Sequence, residues 1–390
     1  MGVAMSTLKP NIDNLKKSIA IPHELGHYEM MQRIDKLSIV GDLEIDDTDE
    51  LFDRLNKMKG SRFYSIRRRK TKSKYIKKLY RYQVKVKNKY NPKQAFMIYY
   101  KPKVGNICNS EQMFIIHYMP TEIDFKKKDK YQGRGAVRFE FSPQHFTVDD
   151  INKLVLYLGN KKRLGKYLYK LLKSAWVTRI DYALDIYDMR LSDYHIGFKG
   201  ACCGERYSSE GEFQGQRLGS NKSEYHAACY EKLDVGDDLD TLHDKDLQLI
   251  ITNWREIQEY RRFLRLEVRY KPRSKALLLR DIHNLHNLLE RIAFYQKPLC
   301  TKEGDLDWEL LLSGMILPEL RDYVNKTNPK EAKKILKRLD NRLKNNQVDL
   351  FDKDEIWCDF HLLVEKLGIL GVPALWQKSL REKWARKHGY

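Results

Sequence analysis

The sequence predicts an α+β fold with a pseudo-duplicated antiparallel β-sheet core, packed helices and a helical carboxy-terminal extension. Three observations predict it. Segments in which polar and apolar residues alternate recur through the middle of the chain, and such alternation is typical of half-buried strands. Two of these segments echo an earlier pair. Beyond about residue 300, apolar residues recur at the spacing of three and four that is typical of helices.

The first 60 residues are mixed in composition, and we predict that residues 1–60 form a separate amino-terminal segment. Residues 23–27 read His-Glu-Leu-Gly-His, which matches the H-E-x-x-H pattern of zinc metalloproteases. Gly26 weakens the helix that would have to align the two histidines, so we discount a zinc site at this position.

The core is predicted over residues 61–300, with halves of about 61–173 and 174–300. In the first half, residues 99–101 read Tyr-Tyr-Lys and residues 138–141 read Arg-Phe-Glu-Phe. In the second half, residues 230–232 read Tyr-Glu-Lys and residues 265–268 read Arg-Leu-Glu-Val. A proline and a predicted helix follow each pair. A duplicated β-rich unit with a helix packed on one face explains this echo, and chance similarity of short motifs is the alternative.

Helices and loops are predicted around these strands. Residues 147–150, Thr-Val-Asp-Asp, have the capping pattern of a helix start. Apolar residues from Leu278 to Ile292, at spacings of four and three, predict one long helix. The glycine-rich residues 197–219 are predicted to form a loop region. Residues 301–390 are predicted to form the helical extension.

The composition favours a polyanionic partner. Lysine and arginine number 73 against 53 aspartate and glutamate, which gives a net charge of +20, and nucleic acid is the polyanion we expect. A basic stretch with interleaved tyrosines suits contact with a DNA backbone together with base stacking. Its candidate DNA-binding residues are Arg67, Arg68, Arg69, Lys70 and Lys74.

Several classes of protein are excluded. The six cysteines include no C-x-x-C pair, which argues against a zinc ribbon or a redox motif, and such sparse use fits a reducing compartment. No apolar run reaches the roughly 18 residues of a membrane span, so we expect a cytoplasmic protein without membrane contact. The glycine-rich region lacks the P-loop pattern, so any helicase would be a separate protein.

Three strand-like segments place polar residues on one shared face, because side chains alternate along a strand. The residues of this face are Asp181 and Asp185, Tyr230 and Lys232, and Arg265, Glu267 and Arg269. Carboxylates are the ligands that Mg²⁺ and Mn²⁺ prefer, so Asp181, Asp185 and Glu267 are the candidate metal ligands. Glu267 could instead be neutralised in a salt-bridge ladder with its arginine neighbours.

The same face offers a nucleophile for attack on a phosphodiester. A phenol with a pKa of about 10 needs a nearby cation or base to react at neutral pH, and Lys232 could supply the cation for Tyr230. Arg179, Arg265 and Arg269 are candidates for holding flanking DNA phosphates. Tyr230 could also be an ordinary half-buried strand tyrosine. In that case the reserve candidates for the nucleophile are Tyr225 and Tyr270.

Four motifs, in this order, carry a resemblance to a known family. Residues 179–185 read Arg-Ile-Asp-Tyr-Ala-Leu-Asp, residues 218–223 read Leu-Gly-Ser-Asn-Lys-Ser, residues 229–232 read Cys-Tyr-Glu-Lys and residues 265–267 read Arg-Leu-Glu. Over about residues 130–300 the chain resembles the replication initiation factor family. Members of this family start rolling-circle replication of plasmids of the staphylococcal tetracycline-resistance type and of filamentous phages.

The resemblance implies a protein that binds a double-strand origin and nicks one strand through a tyrosine with the help of a divalent cation. Such a protein stays attached to the 5′ phosphate of the nicked strand and leaves a 3′-hydroxyl primer. The family's Tyr-x-Lys tyrosine falls on Tyr230, and its acidic positions fall on Asp181 or Asp185 and on Glu267. The implied partners are a host helicase, a DNA polymerase and a second subunit of a homodimer.

Two other functions are compatible with the same residues. The first is a non-catalytic, sequence-specific DNA-binding regulator on the same fold. The second is a metal-dependent nuclease without a covalent intermediate.

Overall fold

A computed structural model describes residues 19–43, 45–59, 64–70, 94–100, 112–118, 137–209, 212–234, 261–273, 276–297, 311 and 315–390. The predicted DNA-binding residue Lys74 lies outside these ranges. The strands are β1 (Ala20–Leu25), β2 (Tyr28–Gly41), β3 (Tyr64–Lys70), β4 (Gln94–Tyr100), β5 (Gln112–Tyr118), β6 (Val137–Phe141), β7 (Trp176–Tyr187), β8 (Tyr194–Phe198), β9 (Gly204–Ser209), β10 (Glu212–Leu218), β11 (Tyr225–Asp234), β12 (Arg261–Tyr270), β13 (Ile292–Gln296) and β14 (Gln347–Val348).

One large antiparallel sheet dominates the described residues. Its strand order is β3-β4-β5-β6-β2-β7-β12-β11-β10-β9, and β1 pairs with β2 beside this path. A second, three-stranded sheet has the order β14-β13-β8. The helices are α1 (Ile45–Lys57), α2 (Val148–Leu158), α3 (Lys166–Ser174), α4 (Leu317–Thr327), α5 (Ala332–Asn345), α6 (Lys353–Cys358), α7 (Phe360–Glu365) and α8 (Lys378–Lys387). The predicted α+β class is confirmed.

The large sheet is built from two similar halves. In each half a long strand, β2 or β7, is followed along the chain by a four-strand meander whose last strand pairs back with it. The two long strands pair with each other, so the halves meet at the centre of the sheet. This repeated strand order is the pseudo-duplication that the sequence echo predicts.

The first half begins earlier than predicted, because β2 belongs to the centre of the sheet. This stretch falls within residues 1–60, the predicted separate amino-terminal segment. A β-bulge at Asp35 explains the discrepancy, since the pairing with β7 shifts between Ile34 and Lys36. Buried Met30 and Ile34 precede the bulge at even positions, whereas Leu37 and Ile39 follow it at odd positions. An extra residue in one strand reverses the alternation, so the stretch does not read as one strand.

Only one of the two echoed motifs occupies equivalent places in the halves. Arg138 pairs with His117 in the first half as Arg265 pairs with Tyr230 in the second. The first-half counterpart of Tyr230 is therefore His117. Tyr99, which the sequence echo aligned with Tyr230, lies in β4, which is the counterpart of β10.

The predicted helix start at residue 147 is confirmed. The Thr147 hydroxyl accepts a hydrogen bond from the Asp150 amide at 3.1 Å, and the Asp150 carboxylate accepts one from the Thr147 amide at 3.0 Å. This reciprocal capping satisfies amides that the first turn of α2 leaves without partners.

The expected long helix over Leu278–Ile292 is wrong. The chain forms two 3₁₀ helices, Leu279–Asn284 and Leu289–Arg291, and then continues into β13. Its buried leucine and isoleucine residues at 279, 282, 285 and 288 recur every three residues, which is the period of a 3₁₀ helix.

The glycine-rich residues 197–219 likewise differ from the predicted loop, because they hold the end of β8 and the strands β9 and β10.

The carboxy-terminal helices cover the apolar face of the sheet. The Tyr182 ring of β7 lies 4.9 Å from the Trp357 ring and 6.2 Å from the Phe360 ring, measured between centroids. The side chain of Lys366 donates a hydrogen bond to the Ala20 carbonyl of β1 at 2.5 Å. The described residues 315–390 of the predicted helical extension are mainly helical, with the short strand β14 as an exception. The last part of this extension is packed on the core. None of the helices described is both long and apolar enough to cross a membrane.

This packing predicts that α7 stabilises the whole domain. Leu363 is fully buried in the main core, whereas Leu362 beside it is 39% exposed. We expect Leu363→Ala to lower the free energy of unfolding by about 3 kcal/mol, since it leaves a cavity under the sheet. The matched control Leu362→Ala should cost about 0.5 kcal/mol or less. Urea unfolding followed by circular dichroism measures both, and equal losses would contradict the packing of α7 on the core.

Candidate active site

The central strands carry polar side chains on the face opposite the helices. In β7 the buried residues Ile180, Tyr182, Leu184 and Ile186 belong to the main core. Asp181 and Asp185 alternate with them and therefore point to the other face. Arg269 lies directly opposite Asp181, and Arg265 lies opposite Asp185. The structure thus places the predicted acids and arginines on one face, which we call the polar face.

The neighbouring strand β11 adds the predicted tyrosine to the polar face. Tyr230 pairs with Arg265, and Ala228 pairs with Glu267. Lys232 follows Tyr230 on the same side of the strand. The structure therefore brings the two predicted catalytic residues beside the predicted carboxylates.

Three carboxylates meet at the centre of the polar face. One oxygen each from Asp35, Asp181 and Glu267 lies within 4.8 Å of the others. We call these residues the carboxylate cluster. The amide of Gln144 donates a short hydrogen bond to Asp35. Two members were predicted as metal ligands, and Asp35 was not.

No signal in the sequence marks Asp35 as a member of the site. Lys36 of β2 lies directly opposite Asp181 of β7, where the two halves of the sheet meet. Asp35 occupies the bulge next to this pair, which brings its carboxylate close to Asp181 and Glu267. Because β2 does not read as a central strand, this proximity is not visible in the sequence.

Asp185, the third predicted metal ligand, lies in a buried ion pair instead of in the carboxylate cluster. Its oxygens accept hydrogen bonds from Nε and Nη2 of Arg265 at 2.6 and 2.7 Å. The Nε atom of Arg33 donates a further bond at 3.1 Å. Two guanidinium groups therefore neutralise this carboxylate.

Arg265 is only 4% exposed, which bears on its predicted role as a DNA-binding residue. Besides its two bonds to Asp185, it donates a hydrogen bond through Nη1 to the Gln144 side chain at 2.9 Å. This placement directs its donors to protein acceptors, so Arg265 fits a structural role better than a phosphate contact.

Asp181 is also neutralised by arginines, but these reach the surface. Nε of Arg179 donates to Asp181 at 2.7 Å, and Nε of Arg269 donates to it at 3.3 Å. The side chains of Arg179 and Arg269 retain 22% and 18% exposure. Both predicted phosphate-binding arginines are therefore half-buried at the rim of the carboxylate cluster.

The remaining predicted DNA-binding residues, Arg67–Lys70, lie in β3, at one end of the strand order.

Tyr230 contacts the carboxylate cluster directly. Its hydroxyl donates a hydrogen bond to Oε2 of Glu267 at 3.2 Å. Burial raises the pKa of the Tyr230 phenol, and the negative charge of Glu267 raises it further against the opposing effect of Arg265. The resting tyrosine is therefore protonated and needs a base or a cation to become a nucleophile.

Glu267 is suited to act as that base. Burial raises the pKa of its carboxyl, and the nearby charges of Asp35 and Asp181 raise it further, against the attraction of Arg269. A carboxylate with a raised pKa accepts a proton more readily than an ordinary glutamate.

Lys232 lies over the tyrosine ring and not at its hydroxyl. The Lys232 ammonium is 5.3 Å from the centroid of the Tyr230 ring, in the position of a cation–π contact. The pKa of this lysine is lowered by desolvation and then by the charge of Arg265. Lys232 can therefore attract the negative charge that develops on the ring without touching the phenol oxygen.

The reserve tyrosines lie on the opposite face. Tyr225 and Tyr270 are paired across β11 and β12, and their rings stack with centroids 4.8 Å apart. Both residues pack with the main core, and the Tyr225 hydroxyl lies 3.0 Å from Nε2 of His286. Alternation along the two strands separates them from the carboxylate cluster.

The zinc-protease pattern at residues 23–27 falls in the β1–β2 hairpin. His23 belongs to β1 and lies 3.3 Å from the Gln32 side chain, while Gly26 forms the turn with a φ of +63°. A hairpin does not place residues 23 and 27 on one helical face, which agrees with discounting this motif.

The carboxylate cluster fits a divalent cation. Mg²⁺ and related hard cations bind oxygen at about 2.0–2.6 Å, so oxygens that share one ion lie within about 5 Å of each other. The spacing of the cluster meets this requirement. Burial is the main cause of the raised pKa of Glu267, and the nearby negative charges of Asp35 and Asp181, which a cation would offset, add to it. Asp35, Asp181 and Glu267 are therefore the residues that would hold Mg²⁺ or Mn²⁺.

Comparison of the sequence with models of known protein families finds no match, and a search of curated proteins finds none either.

The Asp185–Arg265 pair predicts a large effect on stability. Asp185→Asn removes the nearest counter-charge of a buried guanidinium and leaves it only Asp35 at 3.5 Å among the described carboxylates, and we expect a loss of about 3 kcal/mol in the free energy of unfolding. The control Asp188→Asn removes a carboxylate that is 67% exposed and paired with Arg261. It should change stability by about 0–1 kcal/mol. Urea titrations compare the two, and a loss in Asp185→Asn no greater than in the control would contradict the structural role.

The raised pKa of Glu267 predicts a pH-dependent effect of Glu267→Gln. Ionisation of Glu267 in the folded state costs stability as pH rises from its unfolded pKa, about 4.3, through its higher folded pKa. In EDTA at pH 7, Glu267→Gln should therefore unfold with a higher free energy than the wild type. This advantage should shrink towards pH 4.

The control for this prediction is Glu382→Gln, at an exposed position in α8. Urea unfolding from pH 4 to pH 7 should give parallel curves for the control and the wild type. A Glu267→Gln variant that is less stable than the wild type at pH 7 would show that Glu267 is held as a favourable ion.

Proposed function

We propose that this chain initiates rolling-circle DNA replication by nicking an origin strand with Tyr230. The observation that carries the proposal is the hydrogen bond from the Tyr230 hydroxyl to Glu267, a member of the carboxylate cluster. Glu267 therefore serves as the proton acceptor of the nucleophile and is also one of the candidate metal ligands. The net charge of +20 supports a DNA substrate.

The reaction follows from the arrangement of these side chains. Tyr230 transfers its proton to Glu267, and the phenol oxygen attacks the phosphorus of the scissile phosphodiester. The bond from phosphorus to the 3′ oxygen breaks, and that oxygen takes the proton from Glu267 to become the 3′-hydroxyl primer. The 5′ phosphate stays on Tyr230 as an ester. Because the phosphodiester is exchanged and not hydrolysed, the same steps in reverse rejoin the strand.

Neighbouring residues have supporting roles in this proposal. A divalent cation held by Asp35, Asp181 and Glu267 would polarise the scissile phosphate and stabilise its developing charge. Arg179 and Arg269, at the rim of the carboxylate cluster, would position flanking phosphates. Lys232 would stabilise charge on the tyrosine ring.

The resemblance to the replication initiation factor family supports the same proposal, since the family's Tyr-x-Lys motif falls on Tyr230. The proposed partners are a double-stranded origin, the nicked single strand, a host helicase and a DNA polymerase. Members of this family act on plasmids of the staphylococcal tetracycline-resistance type and on filamentous phages.

One observation favours a second candidate, a metal-dependent nuclease without a covalent intermediate. Burial raises the pKa of Tyr230, which disfavours the phenolate in the absence of a cation. A water molecule activated at the carboxylate cluster would then replace the tyrosine as the nucleophile.

An assay on a supercoiled plasmid that carries this reading frame with its flanking DNA separates the two functions. With Mn²⁺, the initiator gives an open circle with the protein attached to the 5′ end. We expect Tyr230→Phe to lower the yield of this adduct at least 100-fold, because the nucleophilic oxygen is lost. Gel electrophoresis before and after proteinase digestion measures the adduct.

The matched control is Tyr225→Phe, which alters a tyrosine of the same strand on the opposite face. It should form the adduct at the wild-type level. Nicking without an adduct would favour the nuclease, and origin binding without nicking would favour a non-catalytic regulator. Wild-type adduct yield in Tyr230→Phe would assign the nucleophile to another residue.

A further inference from the structure

A cavity lies between the small sheet and the helices α4 and α5. Its walls are formed by β8 and the loop that follows it, by β13, and by one side of each helix. Its volume is about 610 Å³, which falls within the range of roughly 300–1,000 Å³ that small-molecule sites occupy. The residues that line it are separate from those of the candidate active site, so the cavity is a second place where this chain could bind a ligand.

The cavity lies where two hydrophobic cores meet. Leu320 of α4 and Leu339 of α5 belong to a small core that these helices share. Ile292 and Phe294 of β13 belong to the main core, whereas Tyr295 packs against the small one. Ligand sites occur preferentially at such junctions between separately packed units.

Part of the lining is apolar. Phe198 and Leu317 line the cavity and are each 8% exposed, and Leu343 is 6% exposed. A Cβ atom on Gly197 would lie 2.8 Å from Cε2 of Tyr295, so the tyrosine ring lies against the backbone of β8. A planar apolar group of a ligand can pack against this part of the lining.

The rest of the lining is strongly cationic. The Arg321 guanidinium is already paired with the Asp340 carboxylate. The lining has an excess of three positive charges, because it contains five basic residues, Lys199, Arg291, Arg321, Lys344 and Lys353, and two acidic ones, Glu290 and Asp340.

Two of these cations are held in place by the protein. Nη1 of Arg291 donates a hydrogen bond to the Lys199 carbonyl at 3.0 Å, and the guanidinium lies 3.5 Å from the centroid of the Tyr225 ring. Nζ of Lys353 donates a hydrogen bond to the Ile292 carbonyl at 2.8 Å, and burial lowers the pKa of this lysine. Both groups have more N–H donors than these bonds use. Cations that are already positioned bind an anion with a smaller loss of side-chain entropy.

The two parts of the lining together narrow the class of ligand. A neutral apolar molecule would bury the cations without a counter-charge. Inorganic phosphate would leave the apolar part of the cavity uncovered, and the positive charge of the lining would repel a metal cation. An anion that carries several phosphate charges on a planar, partly apolar body satisfies both parts.

We propose that this cavity binds a nucleoside polyphosphate. Arg291, Lys344 and Lys353 would bind the phosphates, since lysine and arginine are the usual phosphate ligands among side chains. The base would pack against the apolar lining beside Phe198 and Tyr295. This inference concerns a site apart from the proposed nicking chemistry and does not depend on it.

The test is isothermal titration of the full-length protein with each of the common ribonucleoside and deoxyribonucleoside triphosphates. The buffer contains EDTA and physiological salt, so that no divalent cation occupies the carboxylate cluster. We expect at least one triphosphate to bind and to raise the melting temperature, because a ligand that binds only the folded state stabilises it. Its nucleoside and inorganic tripolyphosphate should each bind about tenfold or more weakly, since each satisfies only one part of the lining.

A charge reversal in α5 tests the location of the site. Lys344 lines the cavity, whereas Lys337 is an exposed lysine of the same helix outside the lining. Lys344→Glu should weaken binding of the triphosphate about tenfold or more, because it places a negative charge beside the phosphates. The matched control Lys337→Glu changes the net charge equally and should bind as the wild type does.

A second variant tests the cavity without changing its charge. Ala293 of β13 lines the cavity and pairs with Gly197 of β8. Ala293→Phe places a ring in this space and should abolish binding. Circular dichroism checks that the variant folds, and Lys344→Glu decides the location of the site if it does not.

Four results would overturn the inference. The first is that none of the triphosphates binds. The second is that inorganic tripolyphosphate binds as tightly as the best triphosphate, which would indicate a general basic surface. The third is an equal loss of binding in Lys344→Glu and Lys337→Glu. The fourth is displacement of the bound triphosphate by a short oligothymidylate, which would assign the cavity to a DNA strand.

Discussion

The two buried acids of β7 and their arginine partners are the constraint on which the rest of this structure depends. Asp181 is bound by Arg179 and Arg269, and Asp185 is bound by Arg265 and Arg33. A buried carboxylate without a partner is costly, so these strands must pair in a register that supplies the guanidinium groups. A slip of one residue would turn the arginines of β12 to the apolar face. The same register places Glu267 and Tyr230 beside each other.

The duplicated sheet explains why the candidate site lies at its centre. The long strands β2 and β7 pair where the two halves meet, and Asp35 and Asp181 come from opposite sides of that junction. The duplication is incomplete in its chemistry. The second half places Tyr230 opposite Arg265, whereas the first half has His117 opposite Arg138. The strand order of the sheet is therefore pseudo-symmetric, whereas the residues of the candidate site are not.

Glu267 connects the parts of the proposed chemistry. It accepts the hydrogen bond of Tyr230 through one oxygen, and it belongs to the carboxylate cluster with Asp35 and Asp181. Burial raises its pKa, and the negative charges of Asp35 and Asp181, which raise it further, are also what would attract a cation. The tyrosine, by contrast, is held as a neutral phenol. In the proposed reaction, Tyr230 therefore attacks a phosphodiester only when a base accepts its proton and a nearby cation stabilises the negative charge of the phenolate.

The sequence by itself determined the fold class, the echo of Arg138–Glu140 in Arg265–Glu267, and the common face of Asp181, Tyr230 and Glu267. These features follow from local alternation, which a strand preserves wherever it lies in a sheet. Only the tertiary structure decided which carboxylates meet. It assigned Asp185 to a buried ion pair, brought in Asp35 across a β-bulge, and placed the reserve tyrosines on the opposite face. These outcomes depend on strand order and register, which are properties of pairing between distant segments and leave no periodic trace in the chain.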